Sequence, residues 1–261
     1  MPIRHQCSEM ASMPAPSATP PIQAAAGHAV IVTENLRHSY GEGELRSQIL
    51  HGLNFEVKAG EVTLLVGPSG SGKSTLLTLI GALRSVEEGS LQVLGRELHG
   101  ASERDRVAIR RRIGFIFQSH NLVSSLTVLQ NVQLLLQLNE PNPRKRTERA
   151  CALLDAVGLS HRLHHYPDEL SGGQRQRVAI ARALAPEPEL VLADEPTASL
   201  DSQSGQDVVE LLGDLCRRRS SAVLLVTHDL RLLKDADRIW RIEDGRVNAW
   251  QPDATELAGA H

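Results

Sequence analysis

The sequence lacks several features that would assign a class of protein at once. No apolar run approaches the roughly 20 residues that a transmembrane helix needs. The formal net charge is only −3, so there is no basic bias toward nucleic acid. The three cysteines, Cys7, Cys151 and Cys216, form neither a metal-binding spacing nor an even disulfide set, which favours a reducing cytosol. Because no apolar stretch follows Arg4 and His5, we predict no signal peptide and expect any membrane role to depend on a partner.

The two ends of the chain differ in composition from its middle. Residues 1–28 are rich in proline, alanine and serine and cannot bury enough apolar surface to fix one conformation. We therefore predict a disordered tail over residues 1–28, one folded domain over residues 29–250 and a C-terminal tail over residues 251–261. An apolar content of 41% and a charged content of 23% are typical of an ordinary globular domain.

A glycine-rich segment, residues 67–75, matches the phosphate-binding pattern G-x-x-x-x-G-K-[ST]. We call it the phosphate loop; its residues are Gly67, Pro68, Ser69, Gly70, Ser71, Gly72, Lys73, Ser74 and Thr75. Glycines let successive backbone N–H groups point at one anion. Lys73 supplies a positive charge for the β- and γ-phosphates, and the Ser74 hydroxyl suits Mg²⁺. The loop predicts a nucleoside triphosphate site but does not indicate what the triphosphate drives.

Strand-like and helix-like segments alternate along most of the chain. This pattern predicts an α/β fold with a largely parallel sheet covered on both faces. Strands are expected at residues 30–32, 49–57, 62–66, 90–94, 113–117, 190–193 and 222–226, with a closing hairpin at 238–250. Helices are expected at residues 102–112, 126–138, 144–157, 171–185 and 206–217, with another beginning at 230. Residues 119–170 have no strand signal, so we interpret them as a helical subdomain inserted into the sheet domain.

Polar motifs stand at the ends of several of these segments. Gln118, the pair Asp194 and Glu195, and His228 each follow an apolar strand. The sequence LSGGQ, residues 170–174, opens a predicted helix. Since an open α/β sheet binds its ligand at the carboxyl ends of its strands, we expect the strand-end residues to lie near the phosphate loop.

With the phosphate loop, these motifs resemble those of the ATP-binding-cassette ATPases, the nucleotide-binding subunits of ABC transporters. The resemblance covers about Val30 to Val247, and LSGGQ after a phosphate loop is its most specific part. It implies a P-loop NTPase (RecA-like) core with a mostly parallel sheet, an antiparallel β subdomain and an inserted α-helical subdomain. It also implies ATP hydrolysis, with ATP and Mg²⁺ bound.

The resemblance also implies a role for each motif residue. Residues 67–75 would bind the phosphates, and Tyr40 would stack on adenine, although an ordinary half-buried strand tyrosine is the alternative. The residues implied at Mg²⁺ are Ser74, Gln118 and Asp194. The residues implied in catalysis are Glu195, as general base, with His228, Gln118 and Lys73. Those implied to contact a second subunit are Ser171, Gly172, Gly173 and Gln174 at its ATP, and Asp201 in the dimer loop.

The same resemblance implies the partners of the chain. A homodimer would enclose two ATP molecules head to tail, because the helix N-terminus at LSGGQ is an anion site. An integral-membrane permease would dock in a groove near Gln118–Thr127, with a periplasmic adaptor reached through the permease. The chain would then lie at the cytoplasmic face of the plasma (inner) membrane as a peripheral subunit.

A narrower resemblance concerns the type of transporter. Residues 76–83, 117–122 and 192–197 are similar to the macrolide-exporter and lipoprotein-releasing (MacB/LolD) type, and residues 83–91 look closest to the DevA-type glycolipid exporter. This implies export or extraction of a lipid-like or amphiphilic substrate. The sequence departs from many members at Ala198-Ser199.

Three other functions are alternatives to transport by an exporter. A regulatory ATPase of a membrane complex, of the cell-division type, is compatible with the motifs. An importer ATPase is disfavoured because the chain ends soon after Val247, without the C-terminal regulatory domain that many sugar importers carry. A DNA-maintenance ATPase is disfavoured by the absence of heptads and cysteine clusters between Lys73 and Ser171. The basic runs at 104–112 and 144–146 are interpreted as solvated helix faces, so no nucleic-acid partner is expected.

Overall fold

The computed structural model of the chain describes residues 27–252, apart from Glu42 and Ser199. The predicted tails, residues 1–28 and 251–261, lie outside the described residues except for Gly27, His28, Gln251 and Pro252. Within the described range, no helix combines the length and apolar character needed to cross a membrane.

The main sheet has six strands in the order β10-β9-β3-β8-β7-β6. All neighbours pair in parallel except the terminal hairpin of β9 and β10, which is antiparallel. The strands are β3 (Val62–Val66), β6 (Ile113–Ile116), β7 (Leu190–Asp194), β8 (Ala222–Thr227), β9 (Arg238–Glu243) and β10 (Arg246–Ala249). Residues in β3 and β8 are buried throughout, as expected for central parallel strands covered on both faces. The predicted, mostly parallel sheet is confirmed.

A second sheet is antiparallel, with the strand order β2-β1-β4-β5. Its strands are β1 (Ala29–Tyr40), β2 (Ser47–Lys58), β4 (Glu88–Val93) and β5 (Arg96–Glu97). The predicted strand at 30–32 was too short, because β1 continues to Tyr40 through irregular register with β2. Irregular pairing of this kind breaks the alternation of buried and exposed residues on which the sequence prediction depended.

Six α-helices complete the described fold. They are α1 (Lys73–Ile80), α2 (Glu103–Arg110), α3 (Val128–Leu136), α4 (Pro143–Ala156), α5 (Gly172–Leu184) and α6 (Ser202–Arg218). The predicted caps Ser102, Thr127 and Ser171 each accept a backbone N–H bond at the start of a helix. Between β6 and β7 the described residues form helices and turns but no strand, in agreement with the helical interpretation of 119–170. The boundaries of that segment as a separate subdomain remain a prediction.

Two predicted helices near the C-terminal end differ from the structure. Helix α6 begins at Ser202 rather than Gln206, because the Asp201 side chain accepts the Ser204 N–H at 3.0 Å and caps the helix earlier. The helix expected to begin at residue 230 is a short 3₁₀ helix, Leu230–Asp235.

The main sheet separates two hydrophobic cores. Val62, Leu64 and Val66 of β3 contribute to one core with the helices that follow β6, and Leu65 contributes to the other with the antiparallel sheet and α1. Successive strand residues point to opposite faces, so one apolar strand serves both cores. The carboxyl ends of β3, β8, β7 and β6 are thereby held side by side at one edge.

Candidate nucleotide site

The phosphate loop connects β3 to α1 and wraps around the ammonium group of Lys73. The Lys73 Nζ donates to the carbonyls of Gly67 and Pro68 at 2.7 and 2.8 Å. Gly72 has a φ of 100°, and a Cβ there would lie 2.7 Å from a Leu50 methyl carbon, so glycine is required. The first N–H groups of α1 point out of the loop with the positive end of the helix dipole. The segment therefore has the form of an anion-binding loop.

Ser74, in the first turn of the helix that follows β3, contacts Asp194 at the end of β7. The Ser74 hydroxyl donates to Asp194 Oδ1 at 3.2 Å, which joins the start of α1 to the end of β7. Burial is the main cause that raises the pKa of Asp194, and the Ser74 hydrogen bond and Lys73 act in the opposite direction. Two adjacent oxygen donors suit a hard divalent cation such as Mg²⁺. Two of the three residues predicted at Mg²⁺, Ser74 and Asp194, are thus brought together.

Glu195 and His228 form a second pair at the same edge. The Glu195 Oε2 lies 2.8 Å from His228 Nδ1, at ion-pair distance but without hydrogen-bond geometry. The Glu195 side chain is 13% exposed, whereas that of His228 is 63% exposed. Glu195 has a φ of 48°, and its N–H donates to the Val226 carbonyl at 2.9 Å. Glutamate rarely adopts a left-handed backbone conformation, so its occurrence beside the phosphate loop indicates a functional role for this residue. The sequence alone did not reveal this conformation.

Gln118 follows β6 at the same edge of the sheet. Its side chain is exposed, and within the described part of the chain it makes no hydrogen bond to Ser74 or Asp194. His120 and Asn121, directly after it, have φ values of 62° and 48°. The structure therefore places Gln118 on the predicted edge but does not join it to the predicted metal ligands.

Tyr40 lies at the end of β1, beside the phosphate loop. Its hydroxyl is 3.2 Å from Thr75 Oγ1, and the Arg84 guanidinium lies 4.8 Å from the ring centroid. His38 contacts the ring edge-on at 5.0 Å. The sequence reasoning missed Arg84 and His38, because neither is part of a motif. The hydrogen bond to Thr75 ties the aromatic ring to the residues that would hold the phosphates.

The LSGGQ segment forms the N-terminus of α5 as a reciprocal capping box. Ser171 Oγ accepts from the Gln174 N–H at 3.3 Å, and Gln174 Oε1 accepts from the Ser171 N–H at 3.1 Å. Among the described residues, a Cβ at Gly173 would come within 4 Å only of Leu200 and Ser204, both at 3.9 Å. Among the described residues, no hydrogen bond joins this segment to the phosphate loop. The LSGGQ helix end is therefore preformed without support from the phosphate loop of its own chain.

Comparisons with known proteins agree with this geometry. The family model of the ABC transporter matches residues 50–198. The lipoprotein-releasing system ATP-binding protein LolD of Pseudomonas syringae pv. tomato is 46% identical over 220 residues, which cover 84% of this chain and 97% of that protein. The uncharacterized ABC transporter ATP-binding protein MJ1508 of Methanocaldococcus jannaschii is 43% identical over 219 residues, with the same coverage of 84% and 97%.

Two solved structures have a similar fold. One is a dimer of the ATP-binding cassette MJ0796 in a post-hydrolysis state bound to ADP and Pi; its TM-score is 0.77 and it is 37% identical over 85% of this chain and 100% of that one. The other is cbiO1 from Clostridium perfringens, part of the complex cbiONQ, with a TM-score of 0.79 and 28% identity over 88% of this chain and 91% of that one.

Proposed function

Because the chain belongs to the ABC transporter family of ATPases, we propose that it powers the export or extraction of a lipid-like substrate by a separate membrane subunit. The family supplies the ATPase and transporter assignment. The finer assignment to an amphiphilic substrate is supported by the similarity to LolD, a protein of a lipoprotein-releasing system. A single structural observation carries the mechanism: the phosphate loop and the LSGGQ helix end are both formed, yet no hydrogen bond joins them among the described residues.

ATP would bind with its phosphates on the first turn of α1 and its base at Tyr40. The Tyr40–Thr75 hydrogen bond supports both contacts, since it fixes the distance between the ring and the loop. The adjacent oxygens of Ser74 and Asp194 would hold Mg²⁺, which supplies charge neutralisation at the phosphates when it is bound. Lys73 would exchange its two carbonyl partners for phosphate oxygens, because the charged acceptors form the stronger bonds.

Glu195 would accept a proton from the attacking water, and His228 would contact the γ-phosphate. Adjacent carboxylates can serve different roles only if their surroundings differ. Here Asp194 is bonded to Ser74, whereas the Glu195 carboxylate makes no hydrogen bond among the described residues. Glu195 therefore retains the acceptor capacity that a general base needs.

A second copy of the chain would complete each site. The N–H groups of Gly172 and Gly173 at the start of α5 have no intrahelical carbonyl partner and carry the positive end of the helix dipole. Gly173 has room for a side chain among the described residues of its own protomer, so the close approach of a second chain would account for its lack of one. The dimer of MJ0796 bound to ADP and Pi supports this arrangement. Asp201 is proposed to act between the subunits in addition to capping α6.

A membrane subunit would dock in a groove of about 310 Å³ between β6, α2 and α3. Its lining includes Phe115, Phe117, Asn121, Leu134, Leu135 and Leu138. The neighbouring segment, residues 122–127, is held by one buried amide: Asn131 donates to the carbonyls of Val123, Leu126 and Thr127 and accepts the Val123 N–H. This preformed surface supports the predicted permease contact near 118–127, and with it a peripheral location at the cytoplasmic face of the inner membrane.

ATP-driven dimerisation of Glu195→Gln tests the mechanism. Removing the base should lower the hydrolysis rate by about 10²- to 10⁴-fold while leaving binding intact. The variant should therefore accumulate as a dimer with ATP and Mg²⁺ in size-exclusion chromatography with light scattering, whereas the wild type should return to monomer as ATP is consumed. Hydrolysis by the variant at the wild-type rate would contradict the role of Glu195. Transport by the chain reconstituted with its membrane subunit would then separate an exporter from a regulatory ATPase or an importer.

A further inference from the structure

Arg182 is a buried cation with an unusual set of partners. Its side chain is near the end of α5, and the residue is only 9% exposed. The guanidinium donates to the carbonyls of Asn121 and His120 at 2.5 and 2.7 Å. No carboxylate within the described range forms an ion pair with it. A buried charge is costly unless it is well bonded, and burial lowers the pKa of this guanidinium, so these two carbonyls are the groups that compensate for its desolvation.

The two acceptors belong to the loop that carries Gln118. His120 and Asn121 both adopt left-handed backbone conformations, which non-glycine residues adopt only when other interactions hold them. The local bonds of the loop are short-range: His120 N–H donates to Phe117 O at 3.1 Å, and Asn121 N–H donates to Ser119 O at 2.7 Å. The Arg182 contacts are thus long-range hydrogen bonds to the backbone of this loop.

Arg182 also connects three parts of the proposed mechanism. It lies on α5, whose first residues form the LSGGQ helix end. It bonds to the loop that follows Gln118, and it lines the groove in which a membrane subunit would dock. A displacement of the loop therefore requires either a movement of α5 or the loss of two charge-assisted hydrogen bonds in a buried setting, which is the more costly outcome.

We propose that Arg182 is a positioning residue for ATP hydrolysis, which holds the Gln118 loop to the signature helix α5 so that the two move as one unit. This inference rests on the proposed role of Gln118. Arg182 itself touches no reacting atom. Its effect on catalysis arises because the backbone conformation of residues 120 and 121 sets the position of Gln118 at the edge of the sheet.

A double-mutant cycle on kcat tests the inference. We compare wild type, Gln118→Ala, Arg182→Gln and the double variant, all as full chains, in steady-state ATP hydrolysis. Arg182→Gln should lower kcat by about 10- to 100-fold, the range expected when a reacting group is misplaced by about 1 Å. It should change KM for ATP by less than about twofold, because Tyr40 and the phosphate loop are untouched. The double variant should be no slower than the slower single variant, because both changes act through the same group.

Two further variants separate positioning from general destabilisation. Arg182→Lys retains the charge and a single donating nitrogen, and should recover part of the kcat that is lost in Arg182→Gln. Arg177→Gln is the matched control: Arg177 is on the same helix and donates to a backbone carbonyl, that of Val157 at 3.3 Å, but does not touch the Gln118 loop. It should leave kcat unchanged alone and add nothing to Gln118→Ala.

Several results would overturn the inference. If the losses caused by Gln118→Ala and Arg182→Gln multiply in the double variant, the two residues act independently. If Arg182→Gln folds but keeps the wild-type kcat, or raises KM alone, Arg182 does not position Gln118. If Gln118→Ala alone has no effect, the role of Gln118 is wrong and the inference fails with it.

If neither Arg182 variant is folded, as judged by the absence of a cooperative thermal transition, a variant in the Gln118 loop tests the inference instead. Asn121→Pro leaves the Arg182 side chain in place but cannot keep the φ of 48°, because proline fixes φ at about −65°, so the acceptor carbonyls move away from the guanidinium. It should lower kcat without changing KM and should be non-additive with Gln118→Ala. An unchanged kcat in this variant would refute the inference.

Discussion

Replacing Gly173 by alanine should stabilise the protein and at the same time disable it. Gly173 lies in the first turn of α5, and its φ is not in the left-handed region. A Cβ there would be in ordinary contact with Leu200 and Ser204 at 3.9 Å. Alanine is favoured over glycine in a helix by about 0.5–1 kcal/mol. At a helix end we expect about 0.5 kcal/mol, which corresponds to a rise in Tm of about 1–2 °C for a domain of this size.

The same methyl group should obstruct the proposed second subunit. Donors that stabilise a phosphate must lie within about 3 Å of its oxygens, and a misplacement of about 1 Å costs up to about 100-fold in rate. We therefore expect kcat to fall by about 10- to 100-fold. In a Glu195→Gln background, we expect ATP-dependent dimerisation to be lost in light scattering.

Gly213→Ala provides the control for this experiment. Gly213 is a buried glycine in α6, where a Cβ would lie 3.4 Å from the flexible end of Arg217 and 3.7 Å from Val62. It should raise Tm similarly and leave hydrolysis unchanged. If Gly173→Ala is more stable yet dimerises and hydrolyses ATP like the wild type, the reasoning about the signature helix is refuted.

Three other predictions follow from the contacts of single side chains. Tyr40→Ala should raise KM for ATP by about 10-fold or more, since base stacking contributes about 1–3 kcal/mol. Tyr40→Phe loses only the hydrogen bond to Thr75 and should raise KM less. Equal KM values for Tyr40→Ala and wild type would exclude stacking of adenine on this ring. Burial raises the pKa of Asp194, so ionisation of this carboxyl destabilises the native state as pH rises through that pKa. Asp194→Asn should therefore raise Tm near pH 7, and the gain in Tm should vanish below about pH 4, where the carboxyl is protonated in the folded and the unfolded chain. A gain in Tm that does not depend on pH would contradict this reasoning. Leu138 is 62% exposed in the groove, so Leu138→Asp should leave Tm unchanged but abolish co-purification with the membrane subunit. Leu122 is a poorer choice for this test because it packs against the core. Retained co-purification would exclude the groove as the docking site.

The sequence was sufficient to predict the edge of the sheet at which the site lies. Apolar runs that end in Asp194, Glu195 and His228 indicate neighbouring parallel strands, and the carboxyl ends of such strands share an edge. The phosphate loop and the capping residues were also predictable, because their geometry is determined within a few residues of the chain. Local patterns of this kind need no knowledge of long-range contacts.

The contacts that distinguish this site depend on residues far apart in sequence. Arg84 reaches Tyr40, and Arg182 reaches Asn121, through side chains whose types are equally common on solvated surfaces. The left-handed backbone of Glu195 is fixed by the neighbouring strand through Val226, so no pattern near residue 195 predicts it. Such features follow from tertiary packing, which determines side-chain partners that periodicity does not specify.

The amide of Asn131 has a mechanical consequence. It closes four hydrogen bonds to residues 123–127 from a fully buried position on α3. A surface segment braced in this way behaves as an extension of the helix rather than as a compliant linker. A force applied at Leu126 would therefore be transmitted to α3 with little deformation of residues 123–127, and the docking surface would move together with the helix.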